Sequence, residues 1–462
     1  MHIKVDNDLL RSQILGERFS VVYRIMGDES TALAIAKDIC LEQTIEFPEE
    51  CVPEGAIRDS IFGRIERSEE IEQNEKIEQL GRLEQIGTLD QSLKSELIER
   101  INLLVKAKQN MTSEQLESLD RINKICQLIN SYPIEEIKQN GKGERNATNS
   151  FHVEISYAVE TCASEFTQLL NVIFGNISIK PGIRVEKIHL SPSLLRLFQG
   201  PRFGIDGLRQ VLQVYHRPLL FTALKPLGLS ASELARLAYQ FAVGGIDIIK
   251  DDHGLSDQSF ASFTERIKLC TEAVQRANRE TGRRTIYVPN ITAPAKSLMP
   301  RARLAKEIGA GGLLIAPGLV GFGVMKELAE DDSIALPIFS HPAFQGSYVL
   351  GDSGISHYAL YGQLMRMAGA DATIYPNFGG RFSFSQAECN QIVEGTSAEM
   401  GHLKSIFPSP GGGINIKSIP LLAEFYGKDV IFLMGGGLFT SGPDLVDNCR
   451  RFKKLVEENF AI

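Results

Sequence analysis

The sequence has few of the features that mark membrane, secreted or nucleic-acid-binding proteins. Its 462 residues include no Trp, and 49 Lys and Arg stand against 57 Asp and Glu, for a formal net charge of −8. This acidic balance argues against the usual basic nucleic-acid-binding surface. No apolar run approaches the ~20 residues of a membrane-spanning helix, and MHIKVDNDLLRSQ at the start lacks the apolar stretch of a signal peptide. We therefore expect neither a membrane nor a nucleic-acid partner.

The cysteines show no spacing that is typical of a metal site or of a set of disulfide bonds. The seven Cys are odd in number, scattered along the chain and never spaced as CxxC. Such usage is typical of reduced thiols in the cytoplasm. The sequence thus predicts a cytoplasmic protein of ordinary globular composition, long enough for two or more domains.

Proline is nearly absent from about residue 66 to 148, where Gln, Glu, Lys, Leu and Ile dominate. Apolar residues there are spaced by three, four and seven positions, over 71–104 and again over 113–132, which predicts two amphipathic helices. We expect a hairpin or coiled-coil-like arm, with docking of a specific partner as the alternative. The flanking segments GRIER (63–67) and SFHVEISYAV (150–159) are predicted to belong to one sheet, which this arm interrupts.

From Leu219 onward, short apolar runs alternate regularly with amphipathic helical patterns. The predicted strands are LLFTALK (219–225), IDIIKDD (246–252), TIYVPNIT (285–292), GGLLIAPG (311–318), LPIFSHP (336–342), DATIYPN (371–377), LKSIFPSP (403–410) and DVIFLMGGG (429–437). Eight βα units in about 240 residues are typical of a (β/α)8 TIM barrel. A doubly wound open sheet would also alternate, but no GxGxxG follows the first strand.

Chemically active side chains follow the ends of these strands, where barrels carry their active sites. Lys225 ends the first strand, His341 the fifth, and Lys250, Asp252 and His253 the second. Because side chains alternate along a strand, Lys250 and Asp252 should point the same way. Such a lysine is a structural ion-pair partner, a base of lowered pKa or a carbamate that binds a divalent metal. His253 is either a further metal ligand or a hydrogen-bonded loop residue.

Two triple-glycine segments follow the seventh and eighth strands. They are Gly411-Gly412-Gly413 and Gly435-Gly436-Gly437. Bare backbone N–H groups bind phosphate well, and barrels commonly do so in these two loops, although glycine also serves simple turns. The pair of loops favours a phosphorylated small-molecule substrate.

Several long motifs resemble the large-subunit family of ribulose-bisphosphate carboxylase. They are LLNVIFGNIS (169–178), FQGPRFGIDGLR (198–209), TALKPLGLS (222–230) and GGIDIIKDDHG (244–254), together with the glycine segments. The resemblance covers nearly the whole chain apart from about 70–148. It implies an α+β amino-terminal domain (1–200) that carries the helical insertion, a barrel domain (201–462), and a homodimer, or a multiple of it, with shared active sites.

The resemblance also implies a role for individual residues of the barrel. Lys250 matches the carbamylated metal-binding lysine and Asp252 a metal carboxylate, which implies Mg²⁺ as cofactor. Lys225 matches the lysine that handles protons at the reacting carbon. His341 and His357 match the two barrel histidines.

Further site residues come from the amino domain and the loops. Asn176 matches the asparagine contributed across the dimer, and Glu42 the amino-domain glutamate. The glycines of both triple segments match the phosphate-binding loops, and Arg381 stands where the family carries a mobile lysine.

Several departures from the family pattern exclude bisphosphate carboxylation. His253 replaces the second metal carboxylate, Pro342 replaces an arginine that grips a phosphate, and KPLGLS lacks the second lysine of its motif. The serine before the strand-seven glycines is also lost. The chain is therefore identified as a RuBisCO-like protein of form IV, an enzyme that forms an enediolate from a phosphorylated keto-sugar.

Three reactions share that enediolate. The weakened metal set favours decarboxylation or transcarboxylation of a 3-oxo-sugar-acid phosphate, of the 3-oxo-isoapionate-4-phosphate type. The alternatives are isomerisation of methylthioribulose phosphate and enolisation of a diketo-methylthiopentyl phosphate. A non-catalytic binding or regulatory role also stays open.

Overall fold

The computed structural model describes residues 17–41, 64–66, 150–380 and 384–460. The predicted helical insertion, Glu42 and Arg381 lie outside these residues. No helix within the described part of the chain is long and apolar enough to cross a membrane.

The described residues form two sheets and the helices that cover them. The strands are β1 (Arg18–Met26), β2 (Arg64–Glu66), β3 (Ser150–Ala158), β4 (Ile183–His189), β5 (Leu219–Leu224), β6 (Ile248–Asp251), β7 (Ile286–Val288), β8 (Leu313–Ile315), β9 (Ile338–Ser340), β10 (Gly354–Ile355), β11 (Ala372–Pro376), β12 (Phe407–Gly411) and β13 (Ile431–Leu433).

The α-helices are α1 (Glu29–Leu41), α2 (Phe166–Phe174), α3 (Pro192–Leu195), α4 (Gly204–Leu212), α5 (Ala231–Gly244), α6 (Phe263–Thr281), α7 (Ala295–Ile308), α8 (Pro317–Val320), α9 (Phe322–Glu330), α10 (Gly346–Val349), α11 (Met365–Met367), α12 (Gln386–Ser397), α13 (Ile419–Tyr426), α14 (Gly436–Phe439) and α15 (Leu445–Phe460). A π-helical stretch, Tyr358–Leu364, leads into α11.

Eight parallel strands form the barrel, in the order β7-β6-β5-β13-β12-β11-β9-β8. A parallel bridge between Asn290 and Leu314 joins the ends of this sheet and closes it. Seven of the eight strands fall within segments predicted from apolar runs, and β12 extends one residue beyond its segment, to Gly411. The predicted (β/α)8 barrel is confirmed.

Alternate residues of the strands fill the barrel. Phe221, Phe339 and Phe407 belong to this interior cluster, and α4 adds Leu208 and Leu212 to it. The next residues along each strand point outward, where long helices such as α5 and α6 cover them. α5 begins with a capping box between Ser230 and Glu233, which satisfies backbone N–H groups at its first turn.

The amino-terminal sheet has the order β10-β4-β1-β3-β2. β2 pairs with β3 in antiparallel register, with Ile65 opposite Ile155. The prediction that these two segments share a sheet is thus confirmed. The fifth strand, β10, comes from the connection between barrel strands β9 and β11, and pairs parallel with β4.

Polar contacts extend the pairing between this connection and β4. Gln363 exchanges two hydrogen bonds with the backbone of Ile188, donating to its carbonyl at 2.7 Å and accepting from its N–H at 2.9 Å. The Ser356 hydroxyl donates to the Glu186 carbonyl. The barrel and the amino-terminal sheet are therefore joined along β4 from Arg184 to Ile188.

Candidate active site

Strand β6 delivers neighbouring side chains to opposite sides of the barrel wall. Lys250 and Asp252 are buried on the inner side, while Asp251 faces outward. Asp251 accepts hydrogen bonds from Arg266 Nε at 3.1 Å and from the Tyr287 hydroxyl at 2.7 Å. Arg266 is itself fully buried on α6. This outer ion pair fixes the end of β6, and with it the direction of the two inner side chains.

Asp252 is the anionic centre of the barrel mouth. Its Oδ2 lies 3.0 Å from Lys225 Nζ, and its Oδ1 accepts the Gly254 N–H at 3.0 Å. Burial alone would raise the pKa of this carboxyl. The Gly254 N–H and the ammonium groups of Lys225 and Lys250 outweigh burial and lower the pKa below its usual value. Asp252 is therefore a carboxylate at neutral pH.

Lys250 lies beside this carboxylate with almost no exposure to solvent. Its Nζ donates to the Asp251 carbonyl at 3.1 Å. Burial, opposed by Asp252 and reinforced by Lys225, lowers the pKa of Lys250 to about 8. A lysine of ordinary pKa is almost wholly protonated at neutral pH, whereas Lys250 keeps a usable fraction of neutral amine.

Two histidines stack at the same mouth. The rings of His253 and His341 have centroids 4.6 Å apart and an interplanar angle of 14°. Burial, with the positive charges of Lys250 and Lys225 nearby, lowers the pKa of both rings; for His253 the Asp252 carboxylate opposes this without reversing it, and the pKa of His341 falls well below its usual value. Both imidazoles are consequently neutral at pH 7.

The hydrogen bonds of the two rings set their tautomers differently. His341 Nδ1 accepts the Ala343 N–H at 3.2 Å, which leaves the proton on Nε2. His253 Nδ1 lies 3.4 Å from Asp252 Oδ1. A proton on that nitrogen is favoured by the carboxylate, which leaves His253 Nε2 with a free lone pair. One ring therefore offers a donor and the other an acceptor.

Asn290, at the end of β7, holds the loop that carries His253. Its Nδ2 donates to the carbonyls of His253 and Leu255 at 3.0 and 2.8 Å, and its Oδ1 accepts the Thr292 N–H. Asn290 is buried, so these bonds are not exchanged with water. Its position at a strand end is visible in the sequence, whereas its partners are not.

The first glycine segment is shaped by close backbone approach. Gly411 is packed against Leu433, and Gly412 and Gly413 have φ of +79° and +105°, which favour glycine. A Cβ on Gly380, in the loop after β11, would meet the Gly412 carbonyl at 2.0 Å. Larger residues are therefore excluded by geometry from this corner of the mouth.

The second glycine segment lies next to the first. A Cβ on Gly437 would come within 2.8 Å of the Ile414 carbonyl, which follows Gly413 directly. Gly435 and Gly436, in contrast, have no atom within 4 Å of such a Cβ. These two glycines leave open space beside their backbone, which is the condition for a phosphate to approach it.

Ser409 is an inner residue of the mouth that the motifs did not reveal. It lies two positions beyond inward-facing Phe407 on β12, and it is buried. Its hydroxyl has no hydrogen-bond partner among the described residues. The period of two along β12 is the signal that would have found it.

The structure does not bring His357 to the stacked histidines. His357 is buried before the π-helical stretch, where its ring contacts Phe384 edge-on and its Nδ1 lies 3.3 Å from Arg184 Nη2. Burial, opposed by Glu388 and reinforced by Arg184, lowers its pKa to about 4. His357 thus joins the barrel to the amino-terminal sheet. A catalytic role for it stays a prediction.

Asn176 also lies apart from the cluster in its own chain. It begins a short 3-10 turn after α2 and is exposed. Exposure is what a residue needs to reach a partner subunit. The roles of Asn176, Glu42 and Arg381 stay predictions.

The inner side chains fit a divalent metal ion if Lys250 is modified. No three His, Cys, Asp or Glu side chains within the described ranges come together as a ligand set. Asp252 therefore needs a further anionic ligand, and a carbamate on the neutral amine of Lys250 would supply it. Buried Asp252 Oδ2 pairs with the Lys225 ammonium and accepts no further hydrogen bond from the described residues, which leaves a lone pair for a cation. His253 is the remaining possible ligand, through whichever ring nitrogen carries no proton.

Comparisons with known proteins agree with this arrangement. Residues 204–442 match the family model for the ribulose bisphosphate carboxylase large chain, catalytic domain. Ribulose bisphosphate carboxylase-like protein 1 of Rhodopseudomonas palustris is 36% identical over 306 residues, covering 66% of this chain and 82% of that protein. The 5-methylthioribulose-1-phosphate isomerase of Rhodospirillum rubrum is 36% identical over 307 residues, covering 66% and 80%.

A solved structure extends the similarity to most of the chain. The crystal structure of a Rubisco-like protein from Rhodopseudomonas palustris superposes with a TM-score of 0.70 at 29% identity, covering 96% of this chain and 98% of that one. The chain therefore belongs to the ribulose bisphosphate carboxylase large chain family, among its RuBisCO-like proteins.

Proposed function

We propose that this protein removes a proton beside the carbonyl of a phosphorylated ketose and so forms an enediolate. The stacked, neutral pair of His253 and His341 beside Asp252 carries the proposal, because it supplies a base and an acid at one point of the barrel mouth. The protein is thus an isomerase or enolase of sugar-phosphate metabolism. The name of the Rhodospirillum rubrum relative describes an enzyme of this class.

Each side chain then has one task. His253 Nε2 takes the proton from carbon, and the His341 Nε2–H donates to the carbonyl oxygen as negative charge develops there. The Lys225 ammonium, held by Asp252, stabilises the same charge. Lys250, as a carbamate, and Asp252 would hold Mg²⁺. When bound, that ion polarises the ketone and makes the neighbouring C–H more acidic.

Phosphate binding is assigned to the two glycine segments. Gly435 and Gly436 leave the backbone open, and Gly437 lies against the end of the first segment. Pro342 replaces the arginine with which the family binds one of two phosphates, and this replacement favours a substrate with a single phosphate.

Apolar side chains at the mouth favour a methylthio substrate. Leu227, Leu319 and Phe344 follow β5, β8 and β9, and are 52%, 57% and 67% exposed. These loops lie at the carboxyl ends of the strands, where the substrate enters. Burial of a methylthio group against these apolar side chains lowers the free energy of binding, whereas burial of a charged sugar acid there does not.

Nuclear magnetic resonance in D2O tests the reaction class. The purified protein, with Mg²⁺ and bicarbonate, is incubated with 5-methylthioribulose 1-phosphate or 2,3-diketo-5-methylthiopentyl 1-phosphate. We expect deuterium at the carbon beside the carbonyl, and none with a His253→Gln/His341→Gln double variant. No exchange with either compound would contradict the proposal.

Decarboxylation is the second candidate, and the replacement of a metal carboxylate by His253 supports it. A decarboxylase needs the enolate to be stabilised but needs no base for a C–H proton. Release of CO2 from 3-oxo-isoapionate 4-phosphate, without proton exchange in the methylthio compounds, would identify this reaction instead.

A further inference from the structure

A cavity lies at the opposite end of the barrel from Lys250. It has a volume of about 670 Å³ and is lined by residues that precede β5, β6 and β7, together with the last helix, α15. This volume falls in the range of small-molecule sites, which is roughly 300–1,000 Å³. The cavity is therefore separate from the candidate active site and large enough for a metabolite.

The lining is basic, although the chain as a whole is acidic. Arg217 is neutralised by a two-pronged ion pair with Asp247, at 2.7 and 2.9 Å. Lys453 Nζ lies 2.6 Å from Glu457 Oε1. These pairs use both carboxylates of the lining and leave two further cations in the cavity.

The two remaining cations are Arg283 and Arg284, in the loop between α6 and β7. Arg283 Nη1 donates to the Val243 carbonyl at 2.9 Å, and Arg284 is exposed. Neither guanidinium has a carboxylate within 4.0 Å among the residues that the structure describes. Because a guanidinium fork matches phosphate oxygens in geometry, adjacent unpaired arginines suit a phosphate ligand.

Gly245 allows Lys453 and Arg283 to pack close together on one wall of the cavity. Its φ is +92°, and a Cβ there would lie 2.8 Å from Lys453 Cδ and 2.9 Å from Arg283 Nη1. Any larger residue would push these two side chains away from the cavity wall. The Arg283 guanidinium and the aliphatic part of Lys453 therefore lie side by side at Gly245.

One wall of the cavity is aromatic. Tyr215 is 43% exposed, its ring centroid lies 6.4 Å from that of His216, and half-buried Phe460 also lines the cavity. Inorganic phosphate alone would leave this wall uncovered. We propose that the cavity binds an organic phosphate, with its phosphate on Arg283 and Arg284 and its ring or sugar against Tyr215. This site does not rest on the proposed reaction at the other end of the barrel.

Isothermal titration calorimetry with ADP and with pyrophosphate tests the site on the full-length protein. We expect one molecule of ADP to bind per chain. Because each charge-assisted contact to phosphate is strong, Arg284→Gln should raise the Kd by roughly tenfold and Arg283→Gln/Arg284→Gln further. Arg279→Gln is the matched control, since it removes one exposed charge from α6 outside the lining, and should change the Kd less than about twofold.

Tyr215→Ala separates the aromatic contact from the phosphate contact. It should weaken ADP and leave pyrophosphate unchanged. Absence of ADP binding, ADP binding that survives Arg284→Gln, or equal losses in Arg284→Gln and Arg279→Gln would each overturn the proposal. Arg284 is exposed, so its single variant keeps the test valid even if the double variant fails to fold.

Discussion

Asp251 and Asp252 are adjacent carboxylates that face different environments. Asp251 points between β6 and α6, where Arg266 and Tyr287 neutralise it. Asp252 points into the barrel mouth beside Lys225. The alternation of a strand predicts this division from the sequence. The partner Arg266 was not predictable, because its pairing depends on how α6 packs against the sheet.

Loss of Asp251 should unfold the protein more easily. In Asp251→Ala the fully buried Arg266 keeps its charge without a carboxylate, which costs about 3–5 kcal/mol in the free energy of unfolding. Urea denaturation measures this. Glu458→Ala, which breaks an exposed pair with Lys454, is the control and should cost less than about 1 kcal/mol. Equal effects would contradict this expectation, because they would show that buried Arg266 tolerates the loss of its carboxylate.

His253 should set the acid limit of activity. Its pKa is lowered from 6.5 because burial and the nearby lysines disfavour the imidazolium more than the Asp252 carboxylate favours it. The neutral base is thus present at pH 7 and is lost as pH falls, so with saturating bicarbonate, which keeps Lys250 carbamylated, kcat/KM should decline only below pH 6.5. A pH profile of kcat/KM measures this limb. A decline that begins above pH 6.5 would exclude His253 as the base.

His253→Gln distinguishes its two possible roles. If His253 is the base, the variant should lose kcat, while its affinity for Mg²⁺, measured by calorimetry, should be unchanged. A fall in Mg²⁺ affinity would instead identify His253 as the third metal ligand that the family resemblance suggests.

At the scale of elements, local patterns predicted the barrel strands and long-range contacts decided the rest. The runs around Leu219 and Ile248 are apolar enough to be recognised alone. β10 has only two residues, and its pairing with β4 depends on a contact between distant parts of the chain. The same limit applies to the site. Strand ends indicated Lys250 and His341, but neither the stacking of the histidines nor the aromatic setting of His357 is visible in sequence.

Gly436 offers a test of the phosphate site that leaves the fold intact. A Cβ there meets no atom within 4 Å, and the residue begins α14, where Ala is a better helix former than Gly. Gly436→Ala should therefore keep or slightly raise the melting temperature. It should raise the KM for the phosphorylated substrate, because the methyl group occupies the space beside the backbone. Unchanged KM would show that the phosphate binds elsewhere.

At the scale of the whole molecule, the match of Asn176 to an asparagine that the family contributes across the dimer predicts sites shared between subunits, and its exposure is compatible with this. Asn176→Ala and Lys250→Ala should each be inactive alone. Subunit exchange between them should recover about one quarter of wild-type activity, because half of the dimers would then carry one intact site. Mixing Lys250→Ala with His341→Ala is the control, and should recover none. Recovery in the control, or none in the test mixture, would contradict a shared site.

The predicted insertion should be dispensable for folding. Its flanking strands β2 and β3 are paired, with Glu66 opposite Glu154, so a short linker spans the gap at little cost in loop entropy. Replacing residues 72–144 by a glycine linker should give a folded protein by circular dichroism. Unchanged turnover would show that the segment has no role in catalysis. Loss of turnover in a folded variant would show that it acts as a lid or docking element.

The strand β10 has a consequence for how the protein is made. β4 ends at His189, but the strand that covers its free edge is translated about 165 residues later. At about 5–20 residues per second, the ribosome needs roughly 8–33 s to supply it. During that interval the nascent amino-terminal sheet exposes an unpaired edge, the kind of surface that other chains join. Chaperone occupancy on the ribosome should therefore persist until residue 355 has left the exit tunnel.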